Sequence, residues 1–235
     1  MAEWVRVPLG VLEPVRLFGV AKLSVSRGGF RVFAIDESRT LLYRGSAALE
    51  EDVGAEVEAT VDAAELWEHL SVGGKEEAYL VALGEETVRF RSESGGYEFE
   101  IAPAEPLDVD RSLETRSIES GHGAILLGRL AGLARVKPRR VDDIVFYAEE
   151  DRLVADARRE GVLGRQRFRV PAEVRGEPYG LYSPSMLLPV AKLTIAREEG
   201  FELTMGSRGE PLPLVISKEV EGVKREFMLA PKVVE

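Results

Sequence analysis

Apolar and polar residues alternate with a period of two along most of this chain, the signature of half-buried strands. Trp4 to Val7 predicts a short strand. Leu9 to Ala21 departs from the alternation, because Leu9, Leu12, Val15, Leu17 and Phe18 follow a helical stripe. Pro14 falls inside that stripe; it lacks a backbone donor and is expected to kink the helix or restart it. Lys22 to Ser26 and Phe30 to Ile35 read as strands around Arg27-Gly28-Gly29, a hairpin signal. Thr40 to Tyr43 and Ala55 to Val61 continue the β pattern. Asp62, followed three residues later by Glu65 and then by Leu66, Trp67 and Leu70, has the capping pattern of one short amphipathic helix. Gly73-Gly74 ends it. Strands over Ala78 to Leu83, Thr87 to Ser92 and Tyr97 to Ile101 follow.

Ala104 to Gly121 is polar, has little periodicity and carries Pro106, so it reads as a linker. Beyond it the order repeats. Ala124 to Leu133 predicts a helix with Ile125, Leu126, Leu130 and Leu133 on its apolar side. Asp143 to Tyr147 and Arg152 to Arg158 predict a hairpin, and Gln166 to Val170 another strand. Ser183 is placed to cap a second short helix, with Pro184 at the favoured first position, and three strands close the chain. The repeat is also literal. Tyr97-Glu98-Phe99-Glu100-Ile101-Ala102-Pro103 and Arg225-Glu226-Phe227-Met228-Leu229-Ala230-Pro231 share Glu-Phe-x-(Leu/Ile)-Ala-Pro, 128 residues apart. That period is too long for a solenoid and implies two similar domains. The expected architecture is α+β, two domains of antiparallel sheet with short helices on one face: residues 1–103, a linker over 104–121, and residues 122–235.

Composition narrows the function. The 235 residues are 45% apolar, enough for an adequate core, and contain no cysteine, which excludes disulfides, thiolate nucleophiles and cysteine-ligated metals. No run approaches the roughly 18 apolar residues of a membrane span, and no charged-then-apolar leader is visible, so a cytoplasmic protein without membrane partners is expected. There is no asparagine and one glutamine, Gln166, while 31% of residues are charged. That is the composition of a heat-adapted protein. The net charge of -10 argues against a protein that coats DNA, though not against one that touches DNA along a restricted face. His69 and His122 are far apart in sequence, and no triad, calcium loop or phosphate-binding glycine loop is present. No catalytic residue, metal or cofactor is expected.

Ala34-Ile35-Asp36-Glu37-Ser38-Arg39, the strand Pro213-Leu214-Val215-Ile216 and the terminal Leu229-Ala230-Pro231-Lys232 resemble the proliferating cell nuclear antigen family of DNA sliding clamps. The shorter archaeal members are the most similar, and the order of elements agrees over nearly the whole chain. The resemblance implies a ring of three two-domain subunits, with sheets outside and short helices lining a hole for duplex DNA. It implies a processivity factor that tethers DNA polymerase, flap endonuclease and DNA ligase, is opened by an ATP-using clamp loader, and does no chemistry itself.

In such a ring the last strand of the first domain, Tyr97, Glu98, Phe99, Glu100 and Ile101, meets a strand of the second domain in a neighbouring copy. Here that second strand is Arg165-Gln166-Arg167-Phe168-Arg169-Val170. Head-to-tail closure needs two different complementary edges. Glu98 and Glu100 share one face of the first; Arg165, Arg167 and Arg169 share one face of the second. Opposite-charge cross-strand pairs contribute about 0.2–1 kcal/mol each, so burial of Phe99, Ile101 and Phe168 is expected to supply the larger part. Both segments also suit ordinary exposed strands.

Arg16, Arg129, Arg135, Lys137, Arg139, Arg140 and Lys192 would face the hole, holding phosphates without reading sequence; the cluster over 135–140 equally suits a solvated basic loop. Glu65 and Glu68 on the first capped helix leave the lining unevenly basic. Ile35, Thr40, Leu42, the linker's Leu113, Pro213, Met228, Ala230 and Pro231 would form the pocket for a partner's hydrophobic peptide, although each singly also suits core packing. Two alternatives remain open: one subunit of a heterotrimeric clamp, or an enzyme on a duplicated β-rich scaffold.

Overall fold

A computed structural model describes residues 4–49, 56–74, 76–107, 141–159, 166–170, 172–193 and 201–232, with residues 122–126 and 170 described for backbone only. The chain divides into two compact units. One comprises Met1–Arg116 with Glu219–Arg225; the other comprises Ser117–Lys218 with Glu226–Glu235.

The first unit opens with β1 (Val5–Pro8), then α1 (Leu9–Leu12) and a 3-10 helix (Glu13–Leu17). Pro14 does restart the helix: it sits in the first turn of the 3-10 segment, where its missing N–H removes no intrahelical bond. Strands β2 (Val20–Ser26), β3 (Gly29–Ile35), β4 (Leu41–Ala47) and β5 (Val57–Asp62) follow. They lie in the order β5-β2-β3-β4. Ala21, Leu23 and Val25 alternate inward along β2. At the β2–β3 turn Gly29 has φ 114°, and a Cβ there would stand 2.4 Å from the Ala47 carbonyl oxygen, so only glycine fits.

Helix α2 (Ala63–Val72) starts as its sequence pattern requires. The Asp62 carboxylate accepts from the Glu65 N–H at 2.9 Å, and Ala63, Leu66 and Leu70 are buried. Strands β6 (Ala78–Leu83), β7 (Val88–Ser92) and β8 (Glu98–Ile101) join β1 in a second antiparallel sheet of order β1-β6-β7-β8. Buried tyrosines need partners for their hydroxyls. Tyr43 donates to the Val11 carbonyl at 2.9 Å and Tyr79 to the Leu70 carbonyl at 3.1 Å, tying each sheet to its helix. Burial pushes the Tyr43 phenol well above its usual range.

The second unit repeats this plan. It contains β9 (His122–Leu126), β10 (Asp143–Glu149), β11 (Arg152–Arg158), β12 (Gln166–Val170), β13 (Ala172–Val174) and β14 (Tyr179–Tyr182). These are followed by α3 (Pro184–Lys192), β15 (Phe201–Met205), β16 (Leu214–Val220) and β17 (Val223–Leu229), the end of β16 and the start of β17 being counted with the first unit. The order β5-β2-β3-β4 recurs as β14-β10-β11-β12, and β1-β6-β7-β8 recurs as β9-β15-β16-β17, with β13 added beside β9. The two Glu-Phe motifs fall on equivalent strands, and Phe99 and Phe227 are both buried.

Two expectations need correction. Residues 124–126 are strand, not helix; β9 pairs with both β13 and β15, and those ladders override the helical spacing of Ile125 and Leu126. The rest of that expected helix, residues 127–133, lies outside the described residues. Ser183 does occupy the N-cap position of α3, and its carbonyl accepts from the Leu187 N–H at 3.1 Å. Its hydroxyl makes no cap bond and is instead 2.7 Å from the Ser185 hydroxyl.

Candidate functional site

Strand β8 ends one sheet and β12 ends another, and each is hydrogen-bonded on one side only among the described residues. The alternation Glu-Phe-Glu-Ile places Glu98 and Glu100 outward and Phe99 and Ile101 inward. Phe99 and Ile101 are 7% and 1% exposed in the single chain. They therefore cannot supply the interface burial expected of them; Phe168, half-buried on β12, can supply part of it. Phe99 is instead the centre of an aromatic stack. Phe90 lies 4.8 Å from it on one side and the His69 ring 4.7 Å away on the other, both nearly parallel. His69 Nδ1 is 3.1 Å from Tyr97 Oη, which fastens the start of β8 to α2.

The edge charges are partly committed in place. Glu98 accepts from Arg91 at 2.8 Å, and Arg91 and Arg89 lie over the Trp4 ring at 4.7 and 5.3 Å. On β12, Arg167 donates to Glu149 at 3.1 Å and lies over Tyr147. Glu100 and Arg169 are exposed and form no ion pair among the described residues. They are the charges available to a neighbour. Arg165 lies outside the described residues. Arg89 and Arg91 were missed in sequence, yet the period-two pattern Val88-Arg89-Phe90-Arg91 pairs them in register with Glu100 and Glu98.

Of the partner-binding candidates, Ile35, Thr40 and Leu42 lie in the first unit. Ile35 and Leu42 are directly paired across β3 and β4 and are 8% and 6% exposed. The loop between these strands is organised by Asp36. Its carboxylate accepts from the Thr40 N–H at 2.7 Å, the Leu41 N–H at 2.6 Å, the Thr40 hydroxyl at 3.0 Å and the Ser38 hydroxyl. Arg39 is held at φ 55° at its tip. Partial burial pushes the Asp36 carboxyl up, but the Ser38, Leu41 and Thr40 hydrogen bonds outweigh it and hold the group below the ordinary aspartate value.

A depressed folded-state value stabilises above the unfolded-state pKa of about 4, and the contribution is lost as pH falls through the folded value. Asp36→Ala is expected to lower stability by about 1–2 kcal/mol at neutral pH, the lower part of the range for charged hydrogen bonds because the group is part-exposed. Urea unfolding at a series of pH values checks this: the gap to wild type should close below about pH 4. A pH-independent gap would remove the carboxylate from the account.

Pro213, Met228, Ala230 and Pro231 lie in the second unit. Met228 is half-buried while Phe227 and Leu229 on either side are buried, so β17 turns Met228 away from the core. The Lys232 N–H donates to the Leu181 carbonyl at 2.7 Å, and the Lys232 ammonium pairs with the Asp143 carboxylate, fixing the tail that carries Ala230 and Pro231. Leu113 lies outside the described residues.

Of the DNA-facing candidates, Arg129, Arg135, Lys137, Arg139 and Arg140 lie outside the described residues. Arg16 pairs with Glu13 at 3.3 Å and lies 5.0 Å from the Trp67 ring. Lys192 is exposed in the last turn of α3. Glu65 and Glu68 are exposed on α2. Among the described residues no group of acidic and histidine side chains is arranged to hold a metal ion, and no helix is long and apolar enough to cross a membrane.

Comparison with solved structures decides the architecture. A chain of the PCNA2–PCNA3 complex from Sulfolobus tokodaii matches with a TM-score of 0.80 at 18% identity, over 98% of this chain and 99% of that one. This chain has the PCNA clamp fold. A. fulgidus PCNA, solved with the C-terminal region of FEN-1, gives 0.77 at 16% identity over the full length of both chains. Thermococcus kodakaraensis PCNA gives 0.75 at 17% identity over 97% of this chain and 99% of that one. No family model and no curated protein sequence matches. The clamp fold is thus present here at only 16–18% sequence identity to those structures.

Proposed function

We propose that this protein is a DNA sliding clamp, a processivity factor that encircles duplex DNA and tethers replication and repair enzymes. The reading is carried by the end-to-end match to the clamp fold. It is supported by two open sheet edges of opposite charge, β8 with Glu98 and Glu100 and β12 with Arg167 and Arg169. Such edges dock head to tail, and complementary charge selects which edge meets which. Tyr97 and Phe168 would add apolar contact, with Phe99 and Ile101 stiffening β8 from behind. Arg16 and Lys192, with Arg129, Arg135, Lys137, Arg139 and Arg140, would make loose phosphate contacts that permit sliding. The residues Ile35, Thr40, Leu42, Leu113, Pro213, Met228, Ala230 and Pro231 would receive partner peptides, of which the flap-endonuclease tail on A. fulgidus PCNA is one example. The mechanism is topological and has no catalytic step in this chain.

Light scattering on the isolated protein should give the mass of a trimer of 25.9 kDa chains. After loading, the protein should be retained on circular DNA and lost from linear DNA. Equal retention on both forms would overturn the reading. A second reading, one subunit of a heterotrimer, is favoured by the similarity to a chain of a complex between two different clamp subunits. A persistent monomer that forms rings only with other clamp subunits would select it.

A further inference from the structure

We infer that Trp4 is a positioning residue for subunit assembly: it draws the Arg89 guanidinium onto its ring and so leaves Glu100 of β8 available to a basic residue of a neighbouring chain. The inference rests on the ring reading above and adds to it a residue outside the two strands that carry the contact.

Strand register creates a competition for the arginines. Along β7, Arg89 and Arg91 alternate with buried Val88, Phe90 and Ser92, and each stands directly opposite a glutamate of β8: Arg91 opposite Glu98, and Arg89 opposite Glu100. Opposite charges so placed attract across a sheet. Two such pairs would neutralise the acidic strand within its own sheet. One of the two is made. Arg91 donates to Glu98 at 2.8 Å. Arg89 and Glu100 form no ion pair among the described residues. On the other side of β7, the residues opposite these arginines are Leu80 and Ala82 of β6, which carry no charge to draw Arg89 away.

Trp4 accounts for the difference. The guanidinium carbon of Arg91 is 4.7 Å from the centre of its ring and that of Arg89 is 5.3 Å from it. Trp4 and both arginines are half-buried, whereas Glu100 is exposed. Tryptophan is the best aromatic partner for a cation, and the contact gains as water is excluded; an exposed ion pair gains little. Arg91 serves Trp4 and Glu98 at once, while Arg89 serves Trp4. Glu98 is thereby held inside its own sheet, and Glu100 carries the negative charge that a neighbour can use. On β12 the matching charge is Arg169, exposed and without an ion pair among the described residues. Trp4 thus selects which acidic residue contributes to the subunit contact.

The test is a dilution series followed by light scattering, which measures ring dissociation for each variant. Trp4→Leu should weaken assembly by up to about fivefold per subunit contact, the upper limit for one cross-strand pair. Adding Arg89→Gln to Trp4→Leu should restore wild-type assembly, because no cation then covers Glu100. Arg89→Gln alone should assemble at least as tightly as wild type. A merely structural role for Trp4 would not be rescued in this way. In a Glu100→Gln background, Trp4→Leu should have no further effect. The loss caused by Trp4→Leu should vanish near ~1 M salt, where charges are screened within about 3 Å. Arg89→Lys leaves Trp4 in place and should weaken assembly in the same sense, since an ammonium lacks the planar stacking of a guanidinium; it carries the comparison if Trp4→Leu does not fold. A folded Trp4→Leu protein that assembles as wild type, or a loss that Arg89→Gln leaves unrelieved, would overturn this inference alone. A wild-type chain that forms no ring, by itself or with other clamp subunits, would overturn the ring reading and this inference with it.

Discussion

Charge reversal at Arg167 and Arg169 to Glu is expected to reduce the particle from a ring to single chains. On the proposed interface each cross-strand ion pair contributes about 0.2–1 kcal/mol, and reversal turns attraction into repulsion of similar size. Two reversed positions then cost about 1–4 kcal/mol per interface, a weakening of about fivefold to about a thousandfold at 1.4 kcal/mol per decade. The two positions are not equivalent. Arg167 is held by Glu149 and pairs in register with buried Asp156, so a glutamate there also disturbs its own sheet. Arg169 is exposed, with no ion pair among the described residues. Arg169→Glu alone should therefore weaken assembly with no change in thermal unfolding, and the double variant should abolish it. Light scattering across a dilution series checks both. An unchanged mass for the double variant would remove β12 as the assembly edge.

Glutamate at Met228 and Pro231 is expected to abolish stimulation of a partner polymerase or flap endonuclease, by more than tenfold, while the mass of the particle stays the same. Few contacts dominate a peptide interface, and they are the apolar anchors. A carboxylate introduced there must be desolvated without a partner when the peptide docks. The fold should tolerate the change. The buried neighbours Phe227 and Leu229 face the other way, and the tail stays fixed by Lys232 on Leu181 and Asp143. Peptide titration combined with light scattering separates the two effects. Stimulation retained at wild-type level would place the peptide site elsewhere.

How far the chain could be read without coordinates depended on the range of the interactions involved. The β2–β3 hairpin, the Asp62 cap on α2 and the restart at Pro14 depend on neighbours within a few residues, and all three stand in the structure. The repeated Glu-Phe motif located equivalent strands 128 residues apart, because an inward phenylalanine at the same point of two copies needs only the period-two rule. Arg89 and Arg91 were equally legible, had their strand been laid against β8.

Where partners are distant in sequence, local pattern was insufficient. The segment around Ile125 and Leu126 is apolar at a spacing that suits either helix or strand, and its ladders with β13 and β15 decided for strand. Phe99 and Ile101 alternate correctly, yet alternation names two faces without saying which is inward; the stack of Phe90, Phe99 and His69 settled it. Ser183 had the right position for a cap, and its hydroxyl took a nearer partner. The sequence alone thus determined the two-fold repetition, most of the strands and turns, and the opposite charges of two strands, since each is written in the order of side chains along the backbone. Tertiary structure alone decided which residues of those two strands remain exposed, which of their charges are already paired, and that Phe99 and Ile101 face inward. Burial and pairing are properties of what packs alongside a strand, and that is supplied by residues far away in the chain.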